Sequence, residues 1–199
     1  TGLPLSLDAV EDILKHNQDV VVIVDEAYVD FGGESARTLL DRYENLLVVQ
    51  TFSKSRSMAG MRIGFAMGHP DLIKALNDVK YSYNSYTMNM PSQILGVEAV
   101  KDDAYFKETL AKIIDTREWS KLKLRELGFS FPDSKSNFIF ATHERVPAEK
   151  IFEALKAEQI YVRYFKQPRL DNYLRITIGT REEMEALFAF LGEFLAIAH

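Results

Sequence analysis

Cysteine is absent from this sequence, tryptophan occurs once, and only six prolines are spread over 199 residues. Without a thiol the chain can form no disulfide scaffold, thiolate metal centre or cysteine nucleophile, and the composition is compatible with a reducing compartment. A basic excess is also lacking. Twenty-four Lys and Arg stand against 29 Asp and Glu, a formal charge of −5, and no basic run marks a nucleic-acid footprint. No apolar stretch approaches the ~20 residues of a spanning helix, and the first residues lack the basic head and apolar core of a secretory signal. Neither nucleic acid nor membrane is an expected partner, and the expected location is cytoplasmic. What remains, 47% hydrophobic and 27% charged residues, is the composition of a folded globular protein.

The pattern along the chain is that of a layered α/β protein. Thr1-Gly2-Leu3-Pro4, with no initiator Met, leads at once into a helical spacing of Leu7, Val10, Ile13 and Leu14, capped by Ser6. That opening reads as an interruption, as in a truncated form or a proteolytic remnant. The β-branched run Asp19 to Asp25 predicts a strand buried on both faces. A short helical segment at 35–43, a strand at Leu46–Gln50, a glycine-containing loop and a strand at Arg62–Met67 follow. Proline-initiated helices are predicted from Pro70 to Lys80 and from Pro91 to Val100. A long helix at about 103–127, ending on Gly128, divides the chain into residues 1–105 and 106–199. The second part alternates a strand at Asn137–Ala141, a helix at 147–158, strands at Ile160–Tyr164 and Tyr173–Ile178, and a last helix at 180–196, a small α+β domain. No internal repeat or low-complexity segment interrupts this order.

Four features sit at predicted element ends, where α/β proteins place ligands. They are Asp25-Glu26-Ala27-Tyr28, Thr51-Phe52-Ser53-Lys54-Ser55, Ala59-Gly60-Met61-Arg62-Ile63-Gly64-Phe65, and Tyr173-Leu174-Arg175-Ile176-Thr177-Ile178-Gly179. Taken singly each has a plain structural reading: Asp25 as a turn former, Lys54 as a solvated charge, Arg62 and Arg175 as ion-pair partners. Together, an acid, a phenol, a lysine and an arginine can surround an aromatic aldehyde cofactor that carries a phosphate. A lysine amine would bond the aldehyde and move a proton; Lys54 is the only lysine between Lys15 and Lys74. A carboxylate, Asp25, would keep a pyridine nitrogen protonated, and Tyr28 would bond the ring oxygen. Arg62, Ser53 and Ser55 offer the fork and hydroxyl donors that a phosphate needs. No nucleotide-binding glycine loop competes, since Phe31-Gly32-Gly33 lacks the required spacing and no terminal lysine-hydroxyl pair follows.

These successive motifs resemble those of the fold-type-I pyridoxal-phosphate aminotransferases, and within them the histidinol-phosphate aminotransferase branch and its aromatic-type relatives. The resemblance runs over nearly the whole chain but matches only the family's C-terminal portion. It implies part of a large three-layer α/β/α cofactor domain followed by a small C-terminal α+β domain. It also implies Lys54 as the Schiff-base lysine, Asp25 as the pyridine partner, Tyr28 at the ring hydroxyl, and Ser53 and Arg62 at the phosphate. Ser136-Asn137-Phe138 and the strand of Arg175 resemble the substrate elements. Arg175 would hold a substrate carboxylate or phosphate, Arg163 would be a second anion-binding arginine, and Asn137 would lie beside them. The implied reaction is amino transfer from histidinol phosphate, with 2-oxoglutarate as acceptor, in histidine biosynthesis. An aromatic amino-acid aminotransferase, a lyase or decarboxylase of the same fold, and a non-catalytic remnant are the alternatives. The family is expected to be homodimeric, and a chain spanning only part of it is expected to self-associate and to be inactive alone. No metal ligand set is singled out.

Overall fold

The computed structural model describes residues 1–197. The chain divides into two compact units, Pro4–Glu108 and a second made of Thr1–Leu3 with the residues from Thr109 onward.

The Pro4–Glu108 unit opens with helix α1, Leu7–His16, whose Ser6 cap accepts a hydrogen bond from the Ala9 amide at 3.3 Å. Strands β1 (Val22–Asp25), β2 (Leu46–Thr51) and β3 (Gly64–Gly68) form a mixed sheet in that order. β1 runs parallel to β2, and β3 antiparallel. Val10 and Leu14, one helical turn apart on α1, bury against Leu46 and Val48 of β2 and against Ala36 and Leu39. Those last two lie on a short 3-10 helix, Ala36–Leu39, where the sequence predicted a longer helical segment. The burial foreseen for β1 is met instead by the first half of β2, Leu46, Leu47 and Val48. β1 is an edge strand, alternates half-buried with exposed residues, and leaves Ile23 62% exposed. A β-branched run is equally suited to a strand open on one face, so composition could not separate the two.

Helices α2 (Pro70–Tyr83) and α3 (Met90–Lys101) carry proline in their first turns. Asn89 caps α3 by accepting from the Ser92 amide at 2.9 Å. α2 buries none of its residues, and Tyr83, Tyr86, Met90 and Ile94 are all exposed. Helix α4, Asp103–Glu126, runs through the point at which the chain passes from one unit to the other.

In the second unit, β4 (Phe129–Ser130), β5 (Phe138–His143), β6 (Arg163–Tyr164) and β7 (Leu174–Thr177) form an antiparallel sheet of order β4-β5-β7-β6. Period-2 alternation puts Ile139, Ala141, Leu174 and Ile176 into the core with α5 (Ala148–Ala157) and α6 (Arg181–Ile197). Phe138, Phe140 and Arg175 belong to the other face. β6 is two residues long, not the five predicted, and β4 was not foreseen. α6 begins with a reciprocal box: the Glu183 amide donates to Thr180 Oγ1 at 3.3 Å, and the Thr180 amide to Glu183 Oε2 at 2.8 Å. The chain start is pinned here as well, since the Lys135 amide donates to the Gly2 carbonyl at 2.9 Å. Gly2 has φ +77, and a Cβ there would lie 2.7 Å from Ser134 Oγ. Among the described residues no helix is long and apolar enough to cross a membrane.

Candidate active site

β1 ends on Asp25, whose Oδ1 accepts the Ala27 amide at 3.0 Å and so closes a turn. The plain reading of Asp25 is thus half fulfilled. Its second oxygen has no hydrogen-bond partner among the described residues. The turn carries Tyr28 into a 3-10 helix, Val29–Phe31. Glu26, to which the sequence reading gave no task, anchors this turn. It is buried, and its carboxylate accepts from Ser35 Oγ (2.7 Å), the Ala36 amide (2.6 Å) and Gln50 Nε2 (2.8 Å). A buried charge needs such a donor set, and the four-residue motif already hinted at it by placing two acids side by side at a strand end.

β2 ends on Thr51, whose hydroxyl donates to Ser53 Oγ at 2.9 Å and accepts the Ser53 amide at 3.1 Å. Lys54 follows at the tip of a loop closed by the Met58 amide on the Phe52 carbonyl (3.0 Å) and the Ser57 amide on the Lys54 carbonyl (3.1 Å). The Lys54 Nζ lies 5.5 Å from the Tyr28 ring centroid. Ser55 is not a free hydroxyl donor for a phosphate, because it is buried and bonds the Asp30 carboxylate. Arg62 is exposed and left-handed, with φ 55 and ψ 42, between a short 3-10 helix and β3. A bulky side chain pays strain in that conformation. Its Nη1 donates to the Ala59 carbonyl at 2.9 Å. Among the described residues neither Lys54 nor Arg62 has a carboxylate partner. Asp25, Tyr28, Ser53, Lys54 and Arg62 therefore share one end of one sheet, with two cations left uncompensated.

A second cluster lies on the other unit. Arg175 stands directly opposite Phe140 on β5 and directly opposite Arg163 on β6. Its guanidinium carbon is 5.1 Å from the Phe138 ring centroid, and its buried Nε has no hydrogen-bond partner among the described residues. Arg163 is exposed and lies over Phe165 at 5.3 Å. Like charges directly opposite on paired strands repel. Tyr173 stacks on Phe140 at 4.6 Å, so an aromatic floor adjoins the arginine pair. Asn137 precedes β5, and its carbonyl accepts the Ile178 amide at 2.9 Å. Nearby, Tyr161 is 78% exposed, whereas Tyr164 stacks on Phe152 against the core.

An α/β protein thus sets a lysine without an acidic partner among an acid, a phenol and hydroxyls, groups suited to amine and anion chemistry, and its other unit carries an arginine pair. The aminotransferase class I and II family matches residues 1–191, and the chain belongs to that family. A histidinol-phosphate aminotransferase of Brachyspira hyodysenteriae is 57% identical over 93% of this chain and 52% of its own length. One from Clostridium botulinum strain Okra is 55% identical over the same shares. The chain spans about half the length of these relatives. The histidinol-phosphate aminotransferase of Sinorhizobium meliloti, solved in complex with pyridoxal-5'-phosphate, matches with a TM-score of 0.87 at 24% identity, covering 100% of this chain and 55% of that one. That likeness speaks to the fold.

Proposed function

We propose that this chain supplies the reactive lysine and the substrate-anion arginines of a pyridoxal-5'-phosphate-dependent transaminase that takes an amino group from histidinol phosphate and passes it to 2-oxoglutarate. The donor set fits the cofactor. Asp25 has a carboxylate oxygen to give to a pyridinium N–H, and Tyr28 a phenol for the ring oxygen. The Ser53 hydroxyl and the uncompensated Arg62 suit a phosphate. Bound there, the cofactor would supply the aldehyde and the electron-withdrawing ring that make a substrate Cα–H acidic. Lys54 Nζ would bond the aldehyde carbon in the resting state and, once displaced by the substrate amine, carry the proton away from the substrate Cα. Asp25 would hold the ring nitrogen protonated throughout.

The observation that carries the substrate assignment is the Arg163–Arg175 pair, two cations held opposite each other with one buried Nε unbonded. An anion between or beside the guanidinium groups would offset their repulsion, and a phosphate monoester answers it better than a neutral side chain. Asn137, beside the start of β5, would add a polar contact. The aromatic floor of Phe138, Phe140 and Tyr173 favours a second reading, an aromatic amino acid as donor. Calorimetric titration with histidinol phosphate, histidinol and phenylalanine separates them. The phosphate reading expects binding to weaken at least about tenfold when the phosphate is removed. Equal binding of histidinol phosphate and histidinol, or tighter binding of phenylalanine, refutes it. The exposed apolar residues of α2, α3 and the segment between them support a homodimer, in which a second copy would cover Tyr83, Tyr86, Met90 and Ile94.

A further inference from the structure

Every neighbour of Lys54 is tied down. Ser53 is held by Thr51, and Arg56 donates to the Ala99 carbonyl at 2.7 Å while its guanidinium lies 4.1 Å from the Phe106 ring centroid. Ser55 is buried and donates to the Asp30 carboxylate across 25 residues of sequence. Asp30 lies on the same 3-10 helix that follows Tyr28. This bond therefore joins the loop that presents Lys54 to the turn that presents Tyr28, beyond the point where the backbone pairing of β1 with β2 has ended. The backbone of the loop is unusual as well, with Ser57 at φ 55. A loop bent in this way holds one conformation only if side chains hold it there.

We propose that Asp30 and Ser55 are positioning residues, whose hydrogen bond sets the Lys54 amine at its distance from the Tyr28 ring and so aims it at the carbonyl carbon it is to bond. The proposal rests on the reading of Lys54 as the amine that captures an aldehyde. A charge-assisted bond to a buried hydroxyl is short and directional, which suits a strut better than a solvated ion pair would. An amine displaced by about an ångström loses much of its advantage in an addition reaction. Neither residue touches the reacting atoms; both act through the loop.

The test uses the 199-residue chain and the variants Ser55→Ala, Asp30→Ala and Asp30→Asn, the last of which keeps an acceptor oxygen. In one experiment the lysines are reductively 13C-methylated and the Lys54 signal, assigned by its loss in Lys54→Arg, is read by NMR. The Tyr28 ring current should displace that signal in the wild-type chain and in Asp30→Asn, and the displacement should vanish in Ser55→Ala and Asp30→Ala while the far-UV spectrum and the urea midpoint stay near wild type. In the second, pyridoxal phosphate is added and fixed with borohydride. Condensation of the amine with the aldehyde expels water, hydride adds to the carbon of the resulting carbon–nitrogen double bond while the nitrogen takes a proton from water, and peptide mapping counts the label at Lys54. That label should fall about tenfold or more in the two alanine variants and recover in Asp30→Asn. An undisplaced wild-type Lys54 signal, or alanine variants that keep the wild-type signal, overturns the proposal. Loss of the displacement in the alanine variants, together with no Lys54 label even in the wild-type chain, upholds the positioning role and removes the cofactor reading instead.

Discussion

Replacing Glu26 with alanine withdraws the acceptor from three donors at once: Ser35 Oγ, the Ala36 amide and Gln50 Nε2. A hydrogen bond to a charged group contributes about 1.5–3 kcal/mol, so three independent bonds would set an upper range well above 4 kcal/mol. They are not independent. The Ser35 and Gln50 side chains are only partly buried and can turn toward water. The Ala36 amide belongs to a residue that is 1% exposed and stays stranded. The expected loss is therefore about 3 kcal/mol, dominated by one orphaned N–H and the small cavity left beside it. Glu26→Gln keeps one acceptor oxygen but turns an N–H toward a donor, and should lose about half as much. Urea unfolding of the chain, followed by far-UV circular dichroism, reads this directly. With a slope near ~2 kcal/mol/M the alanine variant should unfold about 1.5 M earlier, and hydrogen exchange at the Ala36 amide should accelerate. A midpoint within about 0.3 M of wild type would show that the carboxylate is not what holds the Asp25–Tyr28 turn.

Three further outcomes are expected. Asp133 titrates below its usual range because Lys121 hydrogen-bonds it; Glu118 does so too, because, although burial pushes it up, hydrogen bonds from Lys121 and Arg117 prevail. Folded-state values below the unfolded ones mean stability that is full at neutral pH and lost as pH falls through the depressed values, so the second unit should weaken below about pH 4, and Lys121→Met should flatten that acid limb of a pH–stability curve. Thr180→Ala removes one half of the α6 box and should cost about 1 kcal/mol in thermal or urea unfolding, with no change beyond 0.3 kcal/mol, on the order of measurement error, counting against the cap. Arg163→Ala relieves the repulsion facing Arg175 and should leave the anion-free chain as stable as before or up to about 0.5 kcal/mol more so, yet abolish the rise in Tm that the proposed function expects from histidinol phosphate; a retained rise would detach Arg163 from the proposed anion position.

Much of the fold was legible in the sequence because the signals that start and stop helices are local. Ser6 satisfies a backbone donor three residues on, Pro70 and Pro91 mark first helical turns, and the apolar spacing of α1 needs no knowledge of the partner surface. The residues with chemical potential, Asp25, Tyr28, Ser53, Lys54, Arg62 and Arg175, could be picked out by type and by their place at element ends. The tertiary structure decided three things that no local pattern records. β1 stands at an edge of its sheet and not inside it, which depends on which strands find partners. Arg163 came to stand across from Arg175, which depends on register, where a slip of one residue would have sent it to the other face. Glu26 and Ser55 acquired their tasks from Ala36, Gln50 and Asp30, which only chain closure brings near. Periodicity reports which face of an element is apolar, whereas a buried polar group is defined by the distant partner that satisfies it.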